Sequence, residues 1–419
     1  MGSSTIRLSH PTKSLKGTVE LTGSKSESNR ALIIQAWGGG VVEVANLSSA
    51  ADTETLGQAL RAIARTTGGE EATVIDVGPA GTAMRFLAAY LSTTNGRYLL
   101  TGSERMKQRP IGILVDALRA LGAHVEFAGQ TGYPPLAING GFNQVTDTVT
   151  VKGDVSSQYL SALLLIAPIL PNGLRLQIEG ELTSRPYLTM TLDMLHEAGI
   201  QHEWQGDTIH ISPQRARATC IVVEPDWSAA SYWYAMAALS TEADLFLPNL
   251  KSQSLQGDAA IVNIMAHFGI VSSFTKDGLS IRKTPDHRPS EIKLLDFKEC
   301  PDLAQTVIVC AAALRRDLSF TGLHTLKIKE TDRIAALQNE LGKFGVKLVE
   351  DDEVYHLRTA ESRQPEHLSF DTYEDHRMAM AFAPLGLVFD GIQVNEPNVV
   401  EKSYPDFWKH LKQHGFVIT

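Results

Sequence analysis

Cysteine is scarce in this chain. Three residues, Cys220, Cys300 and Cys310, are scattered through 419 positions without a Cys-x-x-Cys pair. That pattern excludes a disulfide framework or a cysteine-rich zinc module, and buried reduced thiols are expected. The thirteen histidines give no His-Glu-x-x-His, so no catalytic metal is expected either. Positive charge is also in deficit: 38 Lys and Arg against 47 Asp and Glu leave a net charge of −9. A general nucleic-acid or membrane-surface binder is thereby excluded, and any anion site has to be local. Long apolar runs are missing. The longest, from Tyr159 to Leu170, is broken by Ser161 and Pro168 and falls short of the roughly 20 residues that cross a bilayer. The first ten residues have neither an apolar secretory core nor an arginine-rich amphipathic character, which predicts a cytoplasmic protein.

What the chain does have is a set of polar helix starts. Gly23-Ser24-Lys25-Ser26-Glu27-Ser28-Asn29-Arg30 joins a flexible turn, two cations and three hydroxyls to the apolar run that begins at Ala31. A helix starting near Ser26 turns its unpaired N–H groups and positive dipole end toward the point that Lys25 reaches, as binding a phosphate or carboxylate requires. The spacing is not Gly-x-x-x-x-Gly-Lys-Ser/Thr, so a nucleoside triphosphate is not implied.

A length of 419 residues exceeds one ordinary core and implies two domains. A repeat supports this. Amphipathic helices end on Gly122, Gly199, Gly269, Gly345 and Gly415, each running directly into a β-prone segment, at intervals of 77, 70, 76 and 70 residues. The segment from Asp52 to Arg65, followed by Thr66-Thr67-Gly68-Gly69, makes a sixth, which divides into three α/β units per half. Turn-rich stretches at 19–24 and 224–228 mark the crossings. The expected domains are 23–225, and 226–419 together with a strand from 1–22, with a cleft between them as the natural ligand site.

Further clusters repeat the chemistry of the first. Gly78-Pro79-Ala80-Gly81-Thr82-Ala83-Met84-Arg85 leads into a predicted helix from Met84 to Tyr90 and reads as a second anion cradle, with close helix packing as the alternative. Lys107 and Arg109 precede what reads as a proline-started helix at Pro110, and Ser156-Ser157-Gln158 caps an apolar helix. Ser184-Arg185-Pro186-Tyr187 has the same form. In the second half, Lys329, Glu330 and Arg333 crowd one helix start, His376 and Arg377 open another, and Lys402 precedes the last. One such cluster is ordinary; five or six are hard to explain by solubility.

Together these blocks resemble the 5-enolpyruvylshikimate-3-phosphate synthases of the shikimate pathway, in unbroken motif order from Gly17 to Pro405. The resemblance implies an α/β fold of two similar domains, each of three βαβαββ units whose helix N-termini face an interdomain cleft. It implies transfer of the enolpyruvyl group of phosphoenolpyruvate to the 5-hydroxyl of shikimate 3-phosphate, releasing phosphate. No metal or other cofactor is implied, nor any nucleic acid or membrane partner, and a monomer is expected. By likeness, Asp302 accepts the hydroxyl proton, Glu330 protonates the methylene carbon, and Lys25 touches both substrates. Shikimate 3-phosphate would be bound by Lys25, Ser26, Arg30, Ser156, Ser157, Gln158, Ser184, Tyr187, Asp302 and Lys329. Phosphoenolpyruvate would fall to Lys25, Gly81, Thr82, Arg109, Gln158, Arg333, His376, Arg377 and Lys402. Pro79 and Thr325 depart from the family pattern, since many relatives carry asparagine at the first place and some at the second.

Two rivals remain. A sister transferase that uses UDP-N-acetylglucosamine normally carries a loop cysteine, and this chain has none before Cys220. A non-catalytic anion binder has no use for two carboxylates, Asp302 and Glu330, in a polyanion pocket.

Overall fold

The computed structural model describes residues 4–65, 71–284 and 291–419. Two compact units divide the chain: residues 23–223, and residues 1–22 with 224–419. Twelve α-helices occur among the described residues. Unit 23–223 holds α1 (Lys25–Trp37), α2 (Ala51–Ala64), α3 (Gly81–Thr93), α4 (Gly112–Leu121), α5 (Ser157–Ile166) and α6 (Arg185–Glu197). The other holds α7 (Trp227–Leu239), α8 (Ile261–Ala266), α9 (Ala304–Ala313), α10 (Arg333–Gly342), α11 (His376–Phe382) and α12 (Phe407–Gln413). None is long and apolar enough to cross a membrane.

The sheets carry the repeat. Thr73–Asp76 pairs parallel with Gly96–Thr101, which pairs antiparallel with Leu136–Gly140, which pairs antiparallel with His124–Phe127. A helix between the first two strands supplies the crossover that a parallel pair needs, and a tight connection suffices for the last two. The same parallel, antiparallel, antiparallel order recurs in four more sheets. A sixth sheet pairs Val42–Ala45 with Thr219–Val222, both in unit 23–223. The N-terminal segment completes two sheets of the other unit: Ser14–Thr18 lies parallel to Glu242–Pro248, and Thr5–Ser9 pairs with Ile392–Asn395 and Val417–Ile418.

Each glycine of the sequence repeat ends its helix in the left-handed region, with φ of +111° at Gly122, +89° at Gly199, +83° at Gly269, +80° at Gly345 and +94° at Gly415. L-residues avoid that conformation, which is why glycine recurs there. The end of the sixth segment, at Thr66 to Gly69, lies outside the described residues. Two helix starts differ from the sequence expectation. The helix placed at Met84 begins three residues earlier at Gly81, because the small residues join the helix instead of forming a loop before it. The helix placed at Pro110 begins at Gly112. Pro110 stays outside it, its carbonyl accepting from Arg85 Nη2 at 2.8 Å and from the Tyr159 hydroxyl at 2.5 Å.

In each unit three helices are buried on most of their faces, as helices packed inside a domain are. They are α1, α3 and α5 in one unit, and α7, α9 and α11 in the other. Within each trio every helix packs on the other two. Their starts are consequently neighbours, and those starts carry the polar clusters.

Candidate active site

In unit 23–223 the N-cap of α1 is Ser24, whose hydroxyl accepts from the Glu27 amide at 3.4 Å. Lys25, first in the helix, stands 3.4 Å from Asp52 on α2, a carboxylate that sequence reasoning missed. One turn on, Arg30 is buried and donates to Thr191 Oγ1, the Ser26 carbonyl, Ser161 Oγ and the Tyr187 carbonyl at 2.7–3.3 Å. All four acceptors are neutral. Burial, opposed by Tyr187 and Glu27, pushes its guanidinium down to about 10. Arg30 thus ties Ser26 on α1 to Tyr187 on α6, where Ser184 is the N-cap with φ of +55°.

At the other two central starts, Gln158 Nε2 donates to Thr82 Oγ1 at 3.2 Å, which joins α5 to α3. Ser156 caps α5 through the Gln158 amide, and Ser157 is its first residue. Arg109 packs against Gly81 so closely that a Cβ there would lie 2.5 Å from Nη1. Glycine is therefore what lets the guanidinium reach the α3 start. Arg85, the arginine that closes the Gly78–Arg85 motif, donates to the Gly81 and Pro110 carbonyls and so holds the fold.

The other unit concentrates opposite charges. Asp302 Oδ1 accepts from Arg333 Nη1 at 3.2 Å and lies 3.8 Å from Lys329 Nζ, while Oδ2 accepts from Arg377 Nη2 at 2.9 Å. Burial works to raise its carboxyl, but Arg377, then Lys329 and Arg333, outweigh it and hold the group far below the usual carboxylate range. Glu330 accepts from Arg333 Nη2 at 2.9 Å and from Lys402 Nζ at 3.1 Å. Asp375 caps α11 by accepting from the Arg377 amide at 2.8 Å and also takes the Arg333 Nε–H. His376 is buried beside it, with Nδ1 3.5 Å from Asp375 Oδ1. Burial lowers the Lys329 ammonium, partly countered by Asp302. Asp302, Glu330, Lys329, Arg333, Arg377 and Lys402 thus form one contiguous network around two carboxylates.

Asp375 was legible as an N-cap in Asp375-His376-Arg377. Asp52 gave no local signal, because its partner is 27 positions away. The expectation that the histidines give no His-x-x-x-His either is corrected: one such spacing occurs, at His410 and His414. Its nitrogens face the protein: His410 Nδ1 meets the Tyr404 hydroxyl and His414 Nδ1 meets the His410 carbonyl, each at 2.8 Å.

Comparison with known proteins gives the family. A model of the EPSP synthase (3-phosphoshikimate 1-carboxyvinyltransferase) family matches residues 9–411. A curated 3-phosphoshikimate 1-carboxyvinyltransferase of Bacteroides fragilis is 47% identical over 416 residues, covering 98% of each chain. The chain belongs to the EPSP synthase family. A relative of the same name from Aliivibrio fischeri is 34% identical over 96% of this chain and 98% of its own. Among solved structures, an EPSP synthase from Acinetobacter baumannii shares the fold with a TM-score of 0.77 at 21% identity, covering 99% of this chain and 100% of that one. The enolpyruvyl transferase NikO from Streptomyces tendae shares it with a TM-score of 0.75 at 15% identity, covering 100% and 99%. The two units, each built on the same sheet plan, are the two similar domains of an EPSP synthase.

Proposed function

We propose that this chain transfers the enolpyruvyl group of phosphoenolpyruvate to the 5-hydroxyl of shikimate 3-phosphate by addition and elimination through a tetrahedral intermediate. Asp302 takes the hydroxyl proton as the oxygen bonds to C2, and Glu330 gives a proton to C3. Phosphate then leaves as C3 returns its proton. Residues 23–225 bind shikimate 3-phosphate through Ser26, Arg30, Ser156, Ser157, Gln158, Ser184 and Tyr187. Residues 226–419, with 1–22, supply the catalytic carboxylates and most of the phosphoenolpyruvate ligands.

The observation that carries the reading is the network in which Arg333 bridges Asp302 and Glu330. Both carboxylates are held by cations that a polyanion would also seek. Phosphoenolpyruvate seated on Arg333, Arg377 and Lys402 competes for the donors now held by Asp302 and Glu330, which is what a carboxylate must lose before it can carry a proton. Lys25, shared by the two substrates, steadies the charge of the intermediate. Both ligands being polyanions, their convergence requires such a surplus of fixed cations.

The reading includes a cytoplasmic location, compatible with bacterial relatives of this name, and a monomer. Light scattering at 45.7 kDa checks the monomer. Phosphate release from phosphoenolpyruvate, measured with shikimate 3-phosphate and separately with UDP-N-acetylglucosamine, tests the activity. Turnover with the first acceptor is expected; turnover with the second only, or with neither, overturns it.

A further inference from the structure

Asp258 lies one hydroxyl away from the network and has no role in the reading above. It sits in the 3-10 turn Gly257–Ala260 and is buried. Its Oδ2 accepts a short hydrogen bond from the Ser228 hydroxyl, and its Oδ1 has no hydrogen-bond partner among the described residues. Ser228 Oγ accepts in turn from Arg377 Nη2 at 3.3 Å, the same nitrogen that donates to Asp302 Oδ2 at 2.9 Å. Nη1 of that guanidinium faces the Tyr232 hydroxyl at 3.4 Å and the Asp302 carbonyl at 3.3 Å.

A serine hydroxyl alone has three staggered positions and a freely turning proton. With an acceptor behind it, the proton is committed and a lone pair stays turned toward Arg377. A carboxyl group buried with one oxygen unmatched is costly to keep, whether or not it holds its proton. Its position, directly behind the serine that touches Arg377, gives that cost a use.

We propose that Asp258 is a positioning residue for the transfer: it fixes the Ser228 hydroxyl, and through it holds Arg377 in the pose that shares Nη2 with Asp302. The inference rests on the assignment of Arg377 to phosphoenolpyruvate. Asp258 touches neither substrate.

Ser228→Ala and Asp258→Ala should each raise KM for phosphoenolpyruvate about tenfold, the scale of one charge-assisted hydrogen bond, and leave KM for shikimate 3-phosphate within about twofold. Asp258→Asn should restore most of the loss, since its amide oxygen still accepts from Ser228. Combining Ser228→Ala with Asp258→Ala should be no worse than either alone, because both act through one hydroxyl. Unchanged KM values, equal losses for both substrates, no rescue by asparagine or additive losses would each overturn the proposal. Side-chain NMR of the ligand-free protein provides a readout independent of turnover. The guanidinium N–H signals of Arg377 should be ordered in the wild type and Asp258→Asn, and averaged in the two alanine variants; identical signals in all four overturn the proposal. A wild type that is inactive on shikimate 3-phosphate but passes the NMR test overturns only the assigned reaction.

Discussion

Arg333 and Asp375 form a buried ion pair, Nε to Oδ2 at 2.7 Å, with side chains 1% and 0% exposed. Burial alone would lower the arginine, but Asp375, Glu330 and Asp302 reverse that and raise it. Removing Asp375 leaves the buried Arg333 Nε–H without its acceptor and the guanidinium with only Asp302 and Glu330 as counter-charges. Asp375→Ala, which also uncaps α11, should therefore destabilise the protein by about 3–5 kcal/mol, measured by urea unfolding. A loss below about 1 kcal/mol would mean that water or another group reaches Arg333.

Glu330 can be tested without disturbing its volume. Glu330→Gln keeps an oxygen for Arg333 but cannot deliver a proton at neutral pH. We expect kcat to fall by about 10²–10⁴-fold, with the dissociation constant for shikimate 3-phosphate changed less than about threefold. Equal losses in affinity and kcat would make Glu330 a binding group instead.

Gly81→Ala places a methyl group against the Arg109 guanidinium, 2.5 Å from Nη1. That atom is the far end of a flexible side chain, so the fold should survive and the arginine should move. Alanine is also a better helix former than glycine at the α3 start. The expected outcome is an unchanged or slightly raised Tm with a KM for phosphoenolpyruvate higher by about tenfold, the scale of one hydrogen bond to a charged group. A falling Tm with unchanged KM would show that the backbone yields instead.

Much of this was legible from sequence because the information is local. Helix caps at Ser24, Ser156 and Asp332 and glycine stops such as Gly345 act over four or five residues, so the repeat and the helix starts that carry a side-chain cap were open to reading, whereas the starts of α3 and α4, which have no capping side chain, were misplaced by two or three residues. The partners of the cations were not legible. Asp52 under Lys25, and Ser228 with Asp258 behind Arg377, come from elements up to 149 positions away. Arg85 shows the converse failure: a cation in the right motif that donates to the backbone carbonyls of Gly81 and Pro110, the latter 25 positions away, which only the folded chain reveals.

Glycines with positive φ differ in what surrounds them, as the helix stop Gly345 and the hairpin-turn Gly206 show. At Gly345, φ is +80° and a Cβ would lie 2.2 Å from the Glu361 carbonyl oxygen, a backbone atom that cannot swing away. At Gly206, φ is +57° and the space is open. Gly206→Ala should therefore cost about 1 kcal/mol, the left-handed penalty alone, and Gly345→Ala at least twice that. Equal losses in chemical unfolding would show that the segment at Glu361 relaxes freely.

The stability of the second unit should also carry the signature of Asp258. Burial, reinforced by Asp302 and opposed by Arg377 and Ser228, pushes its carboxyl up to about 7, with Asp226 adding to the rise. The unfolded chain releases that proton near the ordinary value of about 3.9. Between these limits the folded state holds a proton that the unfolded state has lost, so the group's contribution, fully present in acid, is lost as pH rises to about 7. Asp258→Asn has no such proton. The unfolding free energy of the variant minus that of the wild type should grow by about 2 kcal/mol from pH 5 to pH 7 and level off above pH 8. A difference that stays flat across this range would place Asp258 in water, or ionised, in the folded protein.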